Sequence, residues 1–186
     1  MSWPVPSTAT PAERLDLLDR DVIAPALMDL GGRRLAWMEP AVASVLRRAD
    51  GTLRGLCDAV CDLTRPLYRR EPGDMHATVT ETMARGDDCE GLSAAAVVIL
   101  AGVARRAAWA ATVRGVPVWL VRPGAASDHV ALAVCSQWST APTLPSRVLG
   151  PGDDLPAGWW WCDPAFPVPF GEHPARWAAA QRKAVA

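Results

Sequence analysis

A thiol, an imidazole and a carboxylate stand at Cys89, His129 and Asp163, in the stretches RGDDCEGLSAAAVVIL, DHVALAVC and GWWWCDPAF. A cysteine is mostly protonated near neutral pH and becomes a nucleophile when a helix amino terminus, a nearby imidazole or both favour the thiolate. Cys89 follows an acidic turn and opens a run of small and apolar residues that reads as a helix, whose free N–H groups and dipole would favour negative charge there. Asp87 and Asp88 oppose this, and have to point away or be neutralised. The same position also suits a small residue that merely begins a buried helix.

Three histidines are present. His173, in Gly-Glu-His-Pro, reads as a solvated loop residue, and His76 as a surface residue in the approach to the Cys89 turn. His129 differs because it opens an alternating run that reads as a strand. With a repeat of two, His129, Ala131 and Ala133 share one face and Val130, Leu132 and Val134 the other. The alanine face leaves room for a helix to pack closely, which would bring a helix-borne cysteine near the imidazole. The carboxylate that would fix the imidazole tautomer is Asp163, on the strand face of Trp159 and Trp161 and followed by Pro164. The alternative for Asp163 is an ordinary Asp-Pro turn.

Cys57 and Cys61 lie four apart on a predicted helix, but no further ligands follow at zinc-binding spacing, so they read as two small residues on a buried face. Five scattered cysteines do not suggest a disulfide framework.

The elements that must position these groups are partly legible. Thr10-Pro11-Ala12-Glu13 supplies an N-cap, a first-turn proline and a capping-box glutamate, so a helix starts there. Gly31-Gly32 stops it, or stops a second short segment after Pro25. A second helix opens at Glu39-Pro40, and a third at Thr52, with an apolar stripe through Leu56, Cys57, Val60 and Cys61 that ends at Arg65-Pro66. Residues 75–84 read as a short helical or turn-rich approach. The helix from Cys89 stops at Gly102, with a strand over 106–113, or runs on toward Arg114. Residues 116–121, 129–135 and 158–163 read as strands of an antiparallel sheet, and the proline-rich stretch 136–157 as an extended loop.

At 186 residues and 50% apolar content the chain is long and apolar enough for a real core. Its net charge of -1, without a basic stripe interleaved with aromatics, argues against nucleic acid as a partner. The strongest apolar run, 92–104, is too short to span a bilayer, and the amino terminus lacks the pattern of a signal peptide, so no membrane partner and a cytoplasmic location are expected. Nine tryptophans against one tyrosine is a distribution that needs a structural or binding explanation.

Over roughly residues 53–170 the chain resembles the transglutaminase-like superfamily of papain-type thiol enzymes. The resemblance rests on LRGLCDAVCDLTRPLYRREPGD ahead of a turn, VTETMARGDDCEG presenting the cysteine, DHVALAV opening with the histidine, and GWWWCDPAF ending in an aspartate-proline pair. It implies an α+β fold in which a helical layer bearing the cysteine packs on an antiparallel sheet, with Cys89 as nucleophile, His129 as base and acid, and Asp163 as orienter. It further implies a thiol enzyme acting on amide bonds of a protein or peptide substrate, as a protease or amidase or as an acyl-transfer enzyme, with no metal and no cofactor. Trp159 and Trp161 would line the substrate groove. The alternative is a domain of this fold that has lost activity and serves as a protein-binding or structural module. The expected organisation is a helical extension over 1–50, the catalytic domain over 51–175 and a tail over 176–186. Where the family writes glycine-aspartate-cysteine, this chain carries one residue more, Gly86-Asp87-Asp88-Cys89.

Overall fold

The computed structural model describes residues 3–6, 8–30, 37–70, 75–121 and 128–185. The architecture is α+β, a helical layer against a small sheet. Helix α1 (Pro11–Leu18) starts at the predicted capping box: the Glu13 N–H donates to Thr10 Oγ1 at 3.3 Å, and the Thr10 N–H donates to the Glu13 carboxylate at 2.7 Å. It passes through a π-helical turn, Asp19–Ile23, into α2 (Ala24–Asp29). Pro25 has no N–H to continue an α ladder, which accounts for the change of register just ahead of it. The stop expected at Gly31-Gly32 lies outside the described residues.

Helices α3 (Met38–Arg48) and α4 (Leu53–Thr64) follow, α4 capped by Thr52 Oγ1, which accepts from the Gly55 N–H at 3.0 Å. Helix α4 ends where Arg65-Pro66 was expected to end it, and a single 3-10 turn, Arg65–Leu67, follows. Two-residue strands β1 (Trp3–Pro4) and β2 (Met75–His76) pair antiparallel, with Trp3 opposite His76. Helix α5 (Val79–Arg85) ends at Gly86, whose φ of 83° and whose closeness to the Leu67 carbonyl both exclude a side chain.

The long helix α6 (Cys89–Arg106) settles the open choice at its far end. It continues through Gly102 and stops at Arg106, and a 3-10 turn at Ala108–Ala110 stands where a strand was one of the two expectations. Gly102 is required by packing rather than by termination: a Cβ there would lie 2.8 Å from Val42 Cγ2 and 3.0 Å from Met38 Sδ on α3. Helix α6 therefore forms the axis of the main core, flanked by Leu18, Val22, Val42, Val45, Leu56 and Val60 from the helices before it. Residues of the first fifty thus belong to the same core as the cysteine helix.

The sheet runs β5 (Val148–Leu149), β3 (Arg114–Leu120), β4 (His129–Cys135), β6 (Trp160–Cys162). Its neighbours β3–β4 and β4–β6 are antiparallel, but β5 lies parallel to β3. The sheet is therefore mixed, not antiparallel throughout, and the stretch expected to be a loop supplies its edge strand. Helix α7 (Pro174–Val185) closes the chain.

The expected use of the β4 faces is reversed. Helix α6 covers Leu132 and Val134, and Ser93 Oγ donates to the Val130 carbonyl at 3.3 Å. The alanine face instead packs Ala131 and Ala133 against Trp159 and Trp161, with Trp161 directly opposite Ala133. Small residues there make room for indoles, not for the helix, and that accounts for two of the nine tryptophans.

Candidate active site

The turn that carries Cys89 is fixed from both sides by Asp87 and Asp88. Asp87 is buried, accepts from Thr82 Oγ1 at 2.7 Å and from the Asp88 N–H at 2.8 Å, and its backbone bridges to the chain beside Tyr68. It points away from the thiol and back beneath α6, against Gly91, where an added Cβ would lie 1.8 Å from Oδ2. Asp88 is the N-cap of α6 and accepts from the Glu90 N–H at 2.9 Å. The two adjacent aspartates thus divide the work of the turn, one carboxylate taking a core role and the other a capping role.

Electrostatically the turn opposes a thiolate. Burial, then the charge of Asp88, pushes the Cys89 thiol above the ordinary cysteine range, against which the N–H of Val130 acts. Burial, then the charges of Glu90 and Asp87, pushes the Asp88 carboxyl up to about 7. The resting sulfur is therefore a neutral thiol at physiological pH. It is partly exposed and accepts from the Val130 N–H at 3.4 Å, the amide directly after His129.

His129 is buried at the first position of β4, and its Nε2 lies 2.7 Å from Asp163 Oδ2. An ionised carboxylate only accepts, so Nε2 carries the proton and Nδ1 holds the lone pair. That Nδ1 is buried and has no hydrogen-bond partner. The histidine-aspartate half of the expected constellation is assembled, whereas no hydrogen bond joins the ring to the Cys89 sulfur. The Phe166 ring packs on the imidazole with centroids 4.9 Å apart, and Tyr68 packs on Phe166 at 5.0 Å.

Asp163 is held as firmly as the ring it orients. Its Oδ1 accepts from the N–H groups of Ala165 and Phe166, at 3.0 and 2.9 Å. Its carbonyl accepts from Cys61 Sγ and from Arg65 Nε, both at 3.2 Å, and Thr64 Oγ1 donates to the Pro164 carbonyl at 3.0 Å. The end of α4 thus clamps the Asp-Pro turn. These supports were not anticipated; the segment Leu-Thr-Arg-Pro reads only as a helix end, although its polar residues follow directly on a buried stripe. Cys57 and Cys61 do lie on the buried face, with Cys61 Sγ 3.4 Å from Cys162 Sγ, and all five cysteines are free. Among the described residues, no His, Cys, Asp and Glu cluster has the geometry to hold a metal ion, and no helix is long and apolar enough to cross a membrane.

Two histidines depart from expectation. His76 is not on the surface; it is buried and its Nε2 lies 2.6 Å from Glu90 Oε2, on the residue after Cys89. His173 is not a solvated loop residue; it is buried, accepts from the Ala175 N–H through Nδ1 and packs on Trp161 at 4.9 Å. Trp159 and Trp161 are only 6% and 4% exposed, within the second core that covers the alanine face, and Trp159 Nε1 donates to the Pro142 carbonyl at 2.8 Å. Among the described residues, Trp109, Trp138 and Trp160 are exposed and Trp37 and Trp177 partly so. A scan against protein-family models and searches of curated proteins and of solved structures find no match to this chain.

Proposed function

We propose that this chain is a thiol enzyme of the transglutaminase-like, papain-type kind, acting on amide bonds of a protein or peptide through an acyl-enzyme. One observation carries the reading: His129 is locked to Asp163 through Nε2 and keeps a buried, unpartnered Nδ1 lone pair, while the next residue's N–H holds the Cys89 sulfur. His173 Nε2 is buried and unpartnered as well, but His173 spends its other nitrogen on a backbone N–H, whereas His129 spends its own on a carboxylate that fixes the tautomer.

Because the thiol rests neutral, attack and proton transfer are coupled. The sulfhydryl turns from the Val130 N–H toward Nδ1, Nδ1 takes the proton, and sulfur adds to the amide carbonyl carbon. The resulting imidazolium is stabilised by Asp163 and returns the proton to the leaving nitrogen as the carbon–nitrogen bond breaks. The thioester left on Cys89 is released by water or by an acceptor amine activated at the same Nδ1. The Cys89 N–H, at the first turn of α6, is one donor for the tetrahedral oxyanion.

The test is to alkylate the protein with iodoacetamide at graded pH, map the adducts, and assay a panel of peptide and glutamine substrates against the Cys89→Ala variant. Activity that survives in folded Cys89→Ala ends the proposal. A second reading, a protein-binding or structural module of the same fold, is favoured by the raised thiol and the unmade sulfur–imidazole hydrogen bond. On that reading Cys89 alkylates no faster than Cys57 or Cys135, and no amide is turned over.

A further inference from the structure

Beside the second half of α6 lies a cleft of about 410 Å³ that the catalytic proposal does not use. Val97 and Ala101, one turn apart on α6, line it together with Leu27 of α2 and Leu30 just beyond that helix. Ala111, Val113 and Gly115, leading into β3, complete its apolar surface. Among the described residues, Arg105 and Arg114 are the only polar side chains in the lining, and no carboxylate is there. Asp29 stands outside the cleft, and the Glu39 carboxylate is taken by Arg106. Arg114 Nη1 donates to the Ala111 and Val113 carbonyls, at 3.2 and 2.7 Å, which pins the guanidinium at the cleft. No hydrogen bond among the described residues takes its Nε or Nη2. Arg105 is exposed and forms no ion pair among the described residues.

Apolar walls with a few convergent polar groups are the makeup of a small-molecule site. Two guanidiniums with no acid among them call for an anion, and the guanidinium fork matches a carboxylate in particular. A peptide would bring backbone N–H and C=O groups that apolar side chains leave unsatisfied, whereas an alkyl chain brings none. From Val97 to Arg105 the helix rises about 12 Å, which suits a chain of medium length. We propose that this cleft binds a medium-chain fatty carboxylate, its chain along Val97, Ala101, Leu27 and Leu30 and its head group between Arg105 and Arg114. The site stands apart from the enzymatic reading, since neither the Cys89 turn nor His129 nor Asp163 lines it.

Isothermal titration calorimetry of the full chain with hexanoate, octanoate and decanoate tests the proposal, with octanol and octyltrimethylammonium as neutral and cationic probes. The expected result is a single site per chain whose affinity rises about fourfold with each added methylene. Octanol and octyltrimethylammonium bind about tenfold more weakly than octanoate, or less, because they cannot accept from the guanidiniums as a carboxylate does. Arg105→Gln and Arg114→Gln each weaken decanoate about tenfold. Ala101→Leu fills the cleft and abolishes binding, with the thermal unfolding of the unliganded variant near that of the parent. Should that variant fail to fold, backbone amide resonances of the parent decide: those of Val97, Ala101 and Gly115 shift together as decanoate is added. Equal binding of the three head groups, decanoate binding undiminished in folded Ala101→Leu, or resonances that stay still overturn the proposal. Dimers in sedimentation that Ala101→Leu disrupts would mark the cleft as a contact between copies of the chain, and would overturn it equally. None of these readouts depends on Cys89, so failure here leaves the enzymatic reading untouched, and the reverse holds.

Discussion

His129 and Asp163 share a 2.7 Å contact between side chains only 3% and 0% exposed, and the same carboxylate spends its second oxygen on two backbone N–H groups of its own turn. The aspartate is therefore both orienter and turn former, and the two duties are separable by substitution. In Asp163→Asn the amide oxygen can keep the turn while the amide nitrogen donates to Nε2, which forces the proton onto Nδ1 and removes the base. On the proposed enzymatic reading the expected result is near-parental thermal stability with amidase activity reduced about 10³- to 10⁴-fold. Nitrogen NMR shifts of the ring report the tautomer; activity retained with the proton on Nδ1 would refute the assignment of Nδ1 as base.

The cap of α6 makes stability and thiol chemistry depend on pH through Asp88. Its carboxyl titrates near 7 in the fold against an ordinary 3.8, so between those values the folded chain holds a proton that the unfolded chain has released. The stability contributed is full below the unfolded value and is lost as pH rises through the folded one. Asp88→Asn preserves an acceptor for the Glu90 N–H and abolishes the titration. Relative to the parent, the variant gains stability between pH 5 and pH 8 in urea unfolding, and its Cys89 alkylates at lower pH. An identical stability difference at both pH values would count against the buried cap.

Gly91→Ala tests the packing under the thiol. The new Cβ would overlap a buried carboxyl group that Thr82 and the Asp88 N–H hold in place, so Asp87 must move and the cap with it. Destabilisation of about 1–3 kcal/mol in chemical unfolding is expected. A silent substitution would show that Asp87 moves aside freely.

Trp161→Ala separates core from groove. As part of the indole layer on the alanine face, the residue contributes stability, and its truncation costs about 3–5 kcal/mol. A variant with unchanged unfolding temperature and a raised KM would return Trp161 to the role of a substrate contact.

Elements carrying their own local signal were legible: the caps at Thr10 and Thr52, the opening of α6 at Cys89 and the full span of β4. Strand parity grouped His129 with Ala131 and Ala133, and Asp163 with Trp159 and Trp161; the register that joins those two faces, Ala133 opposite Trp161, is a tertiary fact, and the expected pairing came from the family resemblance. What stayed hidden depends on tertiary context. Strands β2 and β5 have two residues each, too few for any alternation to show; β5 pairs on the edge of the longer β3, and β2 pairs with the equally short β1. The choice of face on β4 was undecidable because both sides are buried, leaving no polar face to mark solvent. The depth of His76 and His173 was missed for a related reason: a buried histidine is announced by its partner, and Glu90 and Ala175 are ordinary residues until the chain is folded.

The seating of Asp87 on Gly91 has an evolutionary corollary. The aspartate two positions before the thiol and the glycine two positions after it occupy one volume, and neither is free to change alone. In kindred chains the two should covary: where the glycine acquires a side chain, the aspartate should have shortened, and Thr82, five residues earlier, should lose its hydroxyl with it. A threonine, an aspartate and a glycine at those offsets from a helix-opening cysteine thus form a signature of this turn, more discriminating than the cysteine itself.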